Sequence, residues 1–254
     1  MHPHLIKDLE MATYRQMPGL SKHELDNFAV APVYYKWRKQ QEWKPSRSMI
    51  MGTLVHSLCL EDRTEFAVGP AVDRRTKAGK EEWESFCVEN LGKEIITEDE
   101  ARKIYGVRDA VAPLLETVDW HHVEPSMFWE RDGVACKGRP DIIAELGKPL
   151  IIDLKTTEDI QRFDQKFFSF RYHVQAAWYK YGIEQITGEE HNFWFLAVDM
   201  QEPHLAQFVV PSSAVLAEAT NLIEMELEQY RDCLEGDHWI GLPTMRILMG
   251  RTQE

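Results

Sequence analysis

The sequence predicts an α/β fold in which a mixed sheet is flanked by helices, and three observations predict it. Two short apolar runs, Ile142-Ile143-Ala144 and Leu150-Ile151-Ile152, are separated by Gly147-Lys148-Pro149, which reads as a strand hairpin. Residues 98–118 place Ala101, Ile104, Val107, Val111, Leu114 and Leu115 at helical spacing, and 122–130 and 134–138 then read as strands around the turn Arg131-Asp132-Gly133. Beyond the hairpin, Tyr172–Gly182 reads as a helix and 191–198 as another strand. Helix, three-strand meander, helix, strand is the order of a mixed α/β sandwich.

In chain order, residues 1–20 carry few signals, and Ser21-Lys22-His23-Glu24 fits a capping box that opens a helix. Residues 32–39 mix aromatic and basic side chains: an amphipathic helix packed by Tyr and Trp, or a phosphate contact through Lys36, Arg38 and Lys39. Residues 48–61 read as a buried helix containing His56, in which Gly52 would permit close approach to the sheet. The basic segment Asp73–Lys80 precedes a helical stretch at 81–86. The helix from 98 is expected to end near Pro113, and the helix from Tyr172 at Gly182. Residues 205–210 read as a strand and 215–235 as a long acidic amphipathic helix, either a solvated cover or an oligomer surface. Glu130 is an edge-strand acid or an extra acidic group near a site.

With 254 residues, 44% of them hydrophobic, the chain is long enough for one large core. A single domain over 1–254 is expected, with its core at about 48–210, an N-terminal helical segment at 1–47, and a C-terminal helix and tail at 211–254. No apolar run reaches the length of a membrane span, and MHPHLIKDLE lacks a signal-peptide pattern, so a cytoplasmic protein with no membrane partner is expected. Cys59, Cys87, Cys136 and Cys233 are scattered, with no Cys-x-x-Cys pair. Neither zinc nor an iron–sulfur cluster is expected; buried free thiols are.

The formal net charge of −13 argues at first against a nucleic-acid partner, but the charge is polarised along the chain. Lys36–Arg47 holds five basic residues and one acid, and Asp73–Lys80 holds four and one. Tyr181–Tyr230 has nine acids and no Lys or Arg. Basic loops beside a site with an acidic remainder are compatible with DNA binding, because the acidic part disfavours unproductive docking.

The chemistry concentrates at 138–157. Alternate side chains of a strand share a face, so Asp153 and Lys155 point the same way. Hairpin pairing brings Asp141 beside Asp153. Two adjacent carboxylates repel unless a cation lies between them, and oxygen ligands of this kind suit a hard divalent ion, Mg²⁺ above all. A lone histidine such as His56 in an apolar helix is more often a packed core residue than a ligand; neutral imidazole is nonetheless a good metal ligand. Gln175 and Tyr179 lie four apart and share a helix face, where ordinary packing is the plain alternative for Tyr179. Arg74, Arg75, Lys77 and Lys80 form either a solvated surface or a grip on DNA phosphates.

Pro140-Asp141 followed by Asp153-Leu154-Lys155 resembles the PD-(D/E)XK nuclease signature. More narrowly, the chain resembles the nuclease domain of exonuclease VIII, the RecE type of phage and prophage recombination systems, over residues 20–210. Gly52-Thr53-Leu54-Val55-His56, Asp73–Lys80, Gly138-Arg139-Pro140-Asp141 and Tyr172-His173-Val174-Gln175 with Tyr179 carry the match. Asp-x-Lys alone is weak; the ordered set of His, Asp, Asp-x-Lys and Gln-x-x-x-Tyr is specific.

The resemblance implies a restriction-endonuclease-like core, a mixed central sheet flanked by helices, with an N-terminal helical elaboration. It implies that His56, Asp141, Asp153 and the carbonyl of Leu154 hold Mg²⁺, with Mn²⁺ as substitute, and that Lys155 orients the attacking water. Gln175 and Tyr179 would position the strand or support the metal ligands. The implied activity is 5′→3′ exonuclease action on double-stranded DNA ends, leaving 3′ tails for a RecT-like annealing protein. A ring-shaped homo-oligomer, trimer or tetramer, and a bacterial or phage-infected cytoplasm follow from the same resemblance. An endonuclease or single-strand nuclease with the same site is the nearest alternative. A non-catalytic DNA-binding module is another, marked by loss of an acid or the lysine, and none is lost.

Overall fold

The computed structural model describes residues 2–42 and 44–244. The remainder of the expected C-terminal tail, 245–254, lies outside the described residues. The N-terminal part comprises β1 (His4–Ile6), α1 (Met11–Gln16), β2 (Leu20–Ser21), α2 (Lys22–Val30), α3 (Pro32–Arg38) and α4 (Arg47–Glu61). Then come β3 (Phe66–Val68), α5 (Lys77–Glu89), β4 (Glu94–Ile96) and α6 (Glu98–Leu115). Five strands follow: β5 (Asp119–Val123), β6 (Ser126–Arg131), β7 (Val134–Gly138), β8 (Ile142–Glu145) and β9 (Pro149–Thr157). A 3₁₀ turn (Ile160–Arg162), α7 (Phe163–Ser169), α8 (Tyr172–Thr187), β10 (Asn192–Asp199), β11 (Ala206–Val209) and α9 (Ser213–Gly236) complete the order.

The central sheet runs β11-β10-β9-β8-β5, with β9 and β10 parallel and the other pairs antiparallel. A second sheet runs β1-β6-β7-β2, and β3 and β4 pair separately. The expected strand over 122–130 is therefore two strands in different sheets. Glu124 breaks them with a φ of 46°, and its N–H bonds the carbonyl of Asp141.

Strand β9 is central and covered on both faces, and its alternation assigns each side chain to a layer. Leu150, Ile152 and Leu154 join the core built with α4 and α6. Ile151 joins the opposite core, which contains Val174, Ala177 and Trp178 of α8 and Ile223 and Leu227 of α9. Asp153 and Lys155 share the parity of Ile151 and so face α8. The expected acidic amphipathic helix is thus α9, a cover whose apolar stripe packs on α8 and α2.

Local signals explain most helix starts. The Ser21–Glu24 capping box is formed, Thr97 and Glu100 make another at α6, and Ser46 caps α4. Two expected helix ends shift. Pro113 sits inside the last turns of α6, which continues to Leu115. Helix α8 passes Gly182 and ends at Gly188, whose φ is 75°. Gly182 serves packing instead: a Cβ there would lie 2.7 Å from the Trp129 ring. In α3, Tyr35 is buried and Trp37 exposed, while Lys36 pairs with Asp237 and Lys39 with Glu24. Gly52 is not needed for close approach, because a Cβ there would meet only Thr156 Oγ1 at 3.8 Å.

Candidate active site

The register of the hairpin pairs Ile142 with Ile152, so Asp141 emerges opposite Asp153, where β8 begins and β9 continues alone on that side. Along this edge the backbone of Leu154 has no strand partner from β8. Its N–H donates to Asp141 Oδ2 at 2.7 Å, and its carbonyl accepts from His56 Nε2 at 3.0 Å. His56 reaches the edge from α4, and its Nδ1 lies 3.5 Å from Asp141 Oδ2. Nε2 donates to the Leu154 carbonyl, so Nδ1 is the ring atom that faces the carboxylate. The His56 ring thus faces the open edge of β9.

On the α8 face, Asp153 is buried at 1% exposure. Its Oδ1 accepts from Gln175 Nε2 at 2.7 Å, and Oδ2 forms an ion pair with Lys155 Nζ. Oδ2 nevertheless has no hydrogen bond of acceptable geometry, an orphaned buried carboxylate oxygen. Burial first, and then the Asp153 charge, push the Asp141 carboxyl up to about 6, against the opposing pull of His56 and Lys155. Burial alone would lower the Lys155 pKa; Asp153 and Asp141 outweigh it and the net shift is upward, so the lysine stays charged. Tyr179 bonds Gln175, and burial raises its phenol well above the usual value, with Tyr14 and the two acids adding to the rise. Its ring packs against Gly138, where a Cβ would approach to 2.9 Å.

The structure thus brings together His56, Asp141, Asp153, Leu154, Lys155, Gln175 and Tyr179. Among the described residues, no three His, Cys, Asp or Glu side chains are spaced to hold a metal by themselves. The oxygen-rich set of two carboxylates and a main-chain carbonyl, with one imidazole, matches a hard divalent cation, and the orphaned Asp153 Oδ2 supplies an oxygen that lacks a hydrogen bond. Cys59, Cys87, Cys136 and Cys233 are free thiols; only Cys136 and Cys233 are buried.

The basic segment straddles the start of α5, which begins at Lys77 behind the Thr76 cap and not after Lys80, and its cations have local partners. Arg75 is bound to Asp73 through Nε at 2.9 Å, Arg74 lies over Trp83 at 4.4 Å, and Lys77 faces Glu81 at 3.7 Å. Lys80 is exposed, and none of these three contacts reaches the site. Glu130 is exposed on β6, in the sheet that does not carry Asp153.

Sequence reasoning missed two neighbours of Lys155. The Tyr172 ring lies 5.1 Å from its Nζ; the spacing of three from Gln175 on one helix carried that signal. Lys22 lies close enough for its charge to interact with Lys155, and nothing local in the sequence connects the two.

A mixed sheet with acid, acid and lysine at the open end of its central hairpin defines the PD-(D/E)XK-type fold and site. The family described as PDDEXK-like domain of unknown function (DUF3799) matches residues 21–242, and the chain belongs to it. Among solved structures, a protein from Eubacterium rectale named provisionally as an exonuclease is 15% identical, with a TM-score of 0.67 over 98% of this chain and 97% of that one. This likeness shows the fold. SSO0001 is 13% identical over 70% of this chain and 87% of its own, with a TM-score of 0.26. VC1899 from Vibrio cholerae is 11% identical over 87% and 53%, with a TM-score of 0.29. No curated protein matches. Among the described residues no helix is long and apolar enough to cross a membrane.

Proposed function

We propose that this chain is a metal-dependent nuclease that hydrolyses DNA phosphodiesters, and more narrowly a 5′→3′ exonuclease of the RecE type acting on double-stranded ends. The observation that carries this reading is the convergence of Asp141, Asp153, Lys155 and His56 on one open stretch of β9. His56, Asp141, Asp153 and the Leu154 carbonyl would hold Mg²⁺, or Mn²⁺ in its place. When bound, the ion supplies Lewis acidity toward the phosphate and lowers the pKa of a water.

The protein's own groups do the rest. Lys155, kept charged by the two acids, orients the attacking water and offsets negative charge as it develops on the phosphate. Gln175 fixes the Asp153 carboxylate, and Tyr179 backs Gln175. Arg74, Arg75, Lys77 and Lys80 would contact backbone phosphates. The 3′ tails so produced suit a RecT-like annealing partner, and threading of duplex through a homo-oligomeric ring, trimer or tetramer, would give processivity. Such a role belongs in the cytoplasm of a bacterial or phage-infected cell.

Digestion of end-labelled duplex with Mg²⁺, together with the mass in solution, tests the reading. Release of 5′ nucleotides with retention of the 3′ strand is expected. Absence of any Mg²⁺- or Mn²⁺-dependent cleavage of duplex or single-stranded DNA would sink it.

A further inference from the structure

The connection between α7 and α8, Phe168-Ser169-Phe170-Arg171, holds two large apolar side chains in solvent. Phe168 is 50% exposed and Phe170 56%, whereas Phe163 and Phe167 of the same helix are buried. Phe170 stands beside the site, and Phe168, two residues before it on the same turn, packs on His173 with ring centroids 5.4 Å apart. The Phe170 ring lies 5.8 Å from that of Tyr172, which in turn lies 5.1 Å from Lys155 Nζ. Helix α7 is anchored on the end of β9, with Lys166 Nζ on Thr157 Oγ1 at 2.8 Å. The carbonyl of Phe170 accepts from Lys22 Nζ at 3.0 Å.

The turn is also rigidly held. Phe170 N–H bonds the Lys166 carbonyl at 2.8 Å, and Arg171 N–H bonds that of Phe168 at 3.1 Å. Arg171 has a φ of 55°, a left-handed conformation uncommon for a side chain of its size. Its guanidinium is pinned by Asp26 at 3.0 Å and by both Glu226 oxygens at 2.7 Å. Two benzyl rings are thus presented to water on a fixed turn, and Lys22, which bonds the Phe170 carbonyl and pairs with Asp26 at 2.6 Å, lies close enough to Lys155 for their charges to interact.

We propose that Phe168 and Phe170 form a stacking edge for the nucleobases of the strand whose phosphate enters the Asp141–Asp153–Lys155 site. This rests on the nuclease reading. Every base has a π-face, so aromatic stacking holds any sequence, which a nuclease working along DNA requires. A strand advances ~3.4 Å per nucleotide in a duplex, so Phe170, two ring contacts from Lys155, and Phe168, three from it, meet bases within a few nucleotides of the phosphate. The edge selects unstacked bases, so the substrate presented to the metal-binding residues is a frayed or opened strand end and not an intact duplex.

The test uses duplex DNA with 2-aminopurine near one end, bound in Ca²⁺ so that binding is read without cleavage. The wild-type protein should change the 2-aminopurine emission, and Phe168→Ala/Phe170→Ala should not, while binding about tenfold more weakly. Abasic sites at the same positions should weaken the wild type by a similar factor and leave the double variant unaffected. Phe168→Trp/Phe170→Trp should restore both readouts; Phe170→Leu, apolar but without a ring, should not.

Equal binding of intact and abasic DNA by the wild type overturns the proposal, as does a loss in the double variant that is the same on both DNAs. A double variant that changes the mass of the protein in solution, with DNA binding intact, makes the edge a subunit contact instead. Wild-type protein that shifts the emission without cutting in Mg²⁺ indicts the nuclease reading alone. Efficient cutting without an emission change indicts the stacking edge alone.

Discussion

Gln175 donates from Nε2 to Asp153 Oδ1 at 2.7 Å, tying helix α8 to the strand that carries the acid. Gln175 is itself buried, so truncation leaves a carboxylate oxygen in the interior without its donor. Gln175→Ala is expected to lower the stability of the metal-free protein by about 1.5–3 kcal/mol, the range for a hydrogen bond to a charged group. Cleavage at saturating DNA should also fall, because Asp153 loses its fixed orientation. Thermal melts together with the rate at saturating DNA check both effects.

Asp141→Ala or Asp153→Ala should abolish cleavage without unfolding the chain. Asp141→Asn probes the same site by pH. The Asp141 carboxyl, held at about 6 in the folded chain, lies above its ordinary value of 3.8, so across that window the native chain holds a proton that the unfolded chain has released. Stability of the metal-free protein therefore falls as pH rises through the window, by on the order of 3 kcal/mol in total. Asp141→Asn should melt higher than wild type at pH 7–8, with the gain vanishing toward pH 4. A constant gain at every pH would contradict a raised Asp141 pKa set by burial and the Asp153 charge.

His56→Ala removes a group bonded to the Leu154 carbonyl and facing Asp141. As a metal ligand, its loss should shift the Mg²⁺ dependence of cleavage to higher concentration and cut the rate heavily. A lower melting temperature with normal activity per folded molecule would make it a structural residue.

Arg74→Ala/Arg75→Ala should weaken duplex binding alike at all sequences and flatten its salt dependence, each lost phosphate contact reducing the log–log slope by about 0.9. Asp73 already engages Arg75, so Arg74 should account for more of the change. Affinity in Ca²⁺ at several salt concentrations measures the slope; an unchanged slope makes the loop a solvated surface.

Two glycines should behave oppositely. Gly138→Ala drives a Cβ to 2.9 Å from the Tyr179 ring and should cost about 1–3 kcal/mol with a loss of cleavage. Gly52→Ala meets only Thr156 Oγ1 at 3.8 Å in the middle of a helix and should stabilise by up to about 1 kcal/mol. Melting temperatures of the two variants decide.

The hairpin at 141–155 was legible because its signals are local: apolar runs, a Gly-Lys-Pro turn and alternation, which together place Asp141 opposite Asp153. His56 was legible only through the resemblance, since an apolar helix gives no reason for an imidazole to point at a strand edge. The division of 122–130 between two sheets was not legible, because it turns on the backbone of Glu124, whose left-handed conformation is set by a tertiary bond to Asp141. Gly182 misled for a related reason: a glycine that ends a helix and one that admits Trp129 look the same in sequence. Lys22 and Tyr172 reach Lys155 through packing of α2 and α8, and only Tyr172 left a trace in residue spacing.

The strand edge beyond Ile152 has a consequence for how the chain becomes competent. His56, Asp141 and Asp153 come from segments that meet only when β8 and β9 pair in one register. A slip of one residue would turn Asp153 and Lys155 toward α4 and α6 and send Ile152 and Leu154 to the other face. Such a chain would bury a carboxylate and an ammonium in a greasy layer and would possess no site at all. A chain paired in the wrong register therefore lacks the site, and the assembly of these side chains waits on the central sheet being correct.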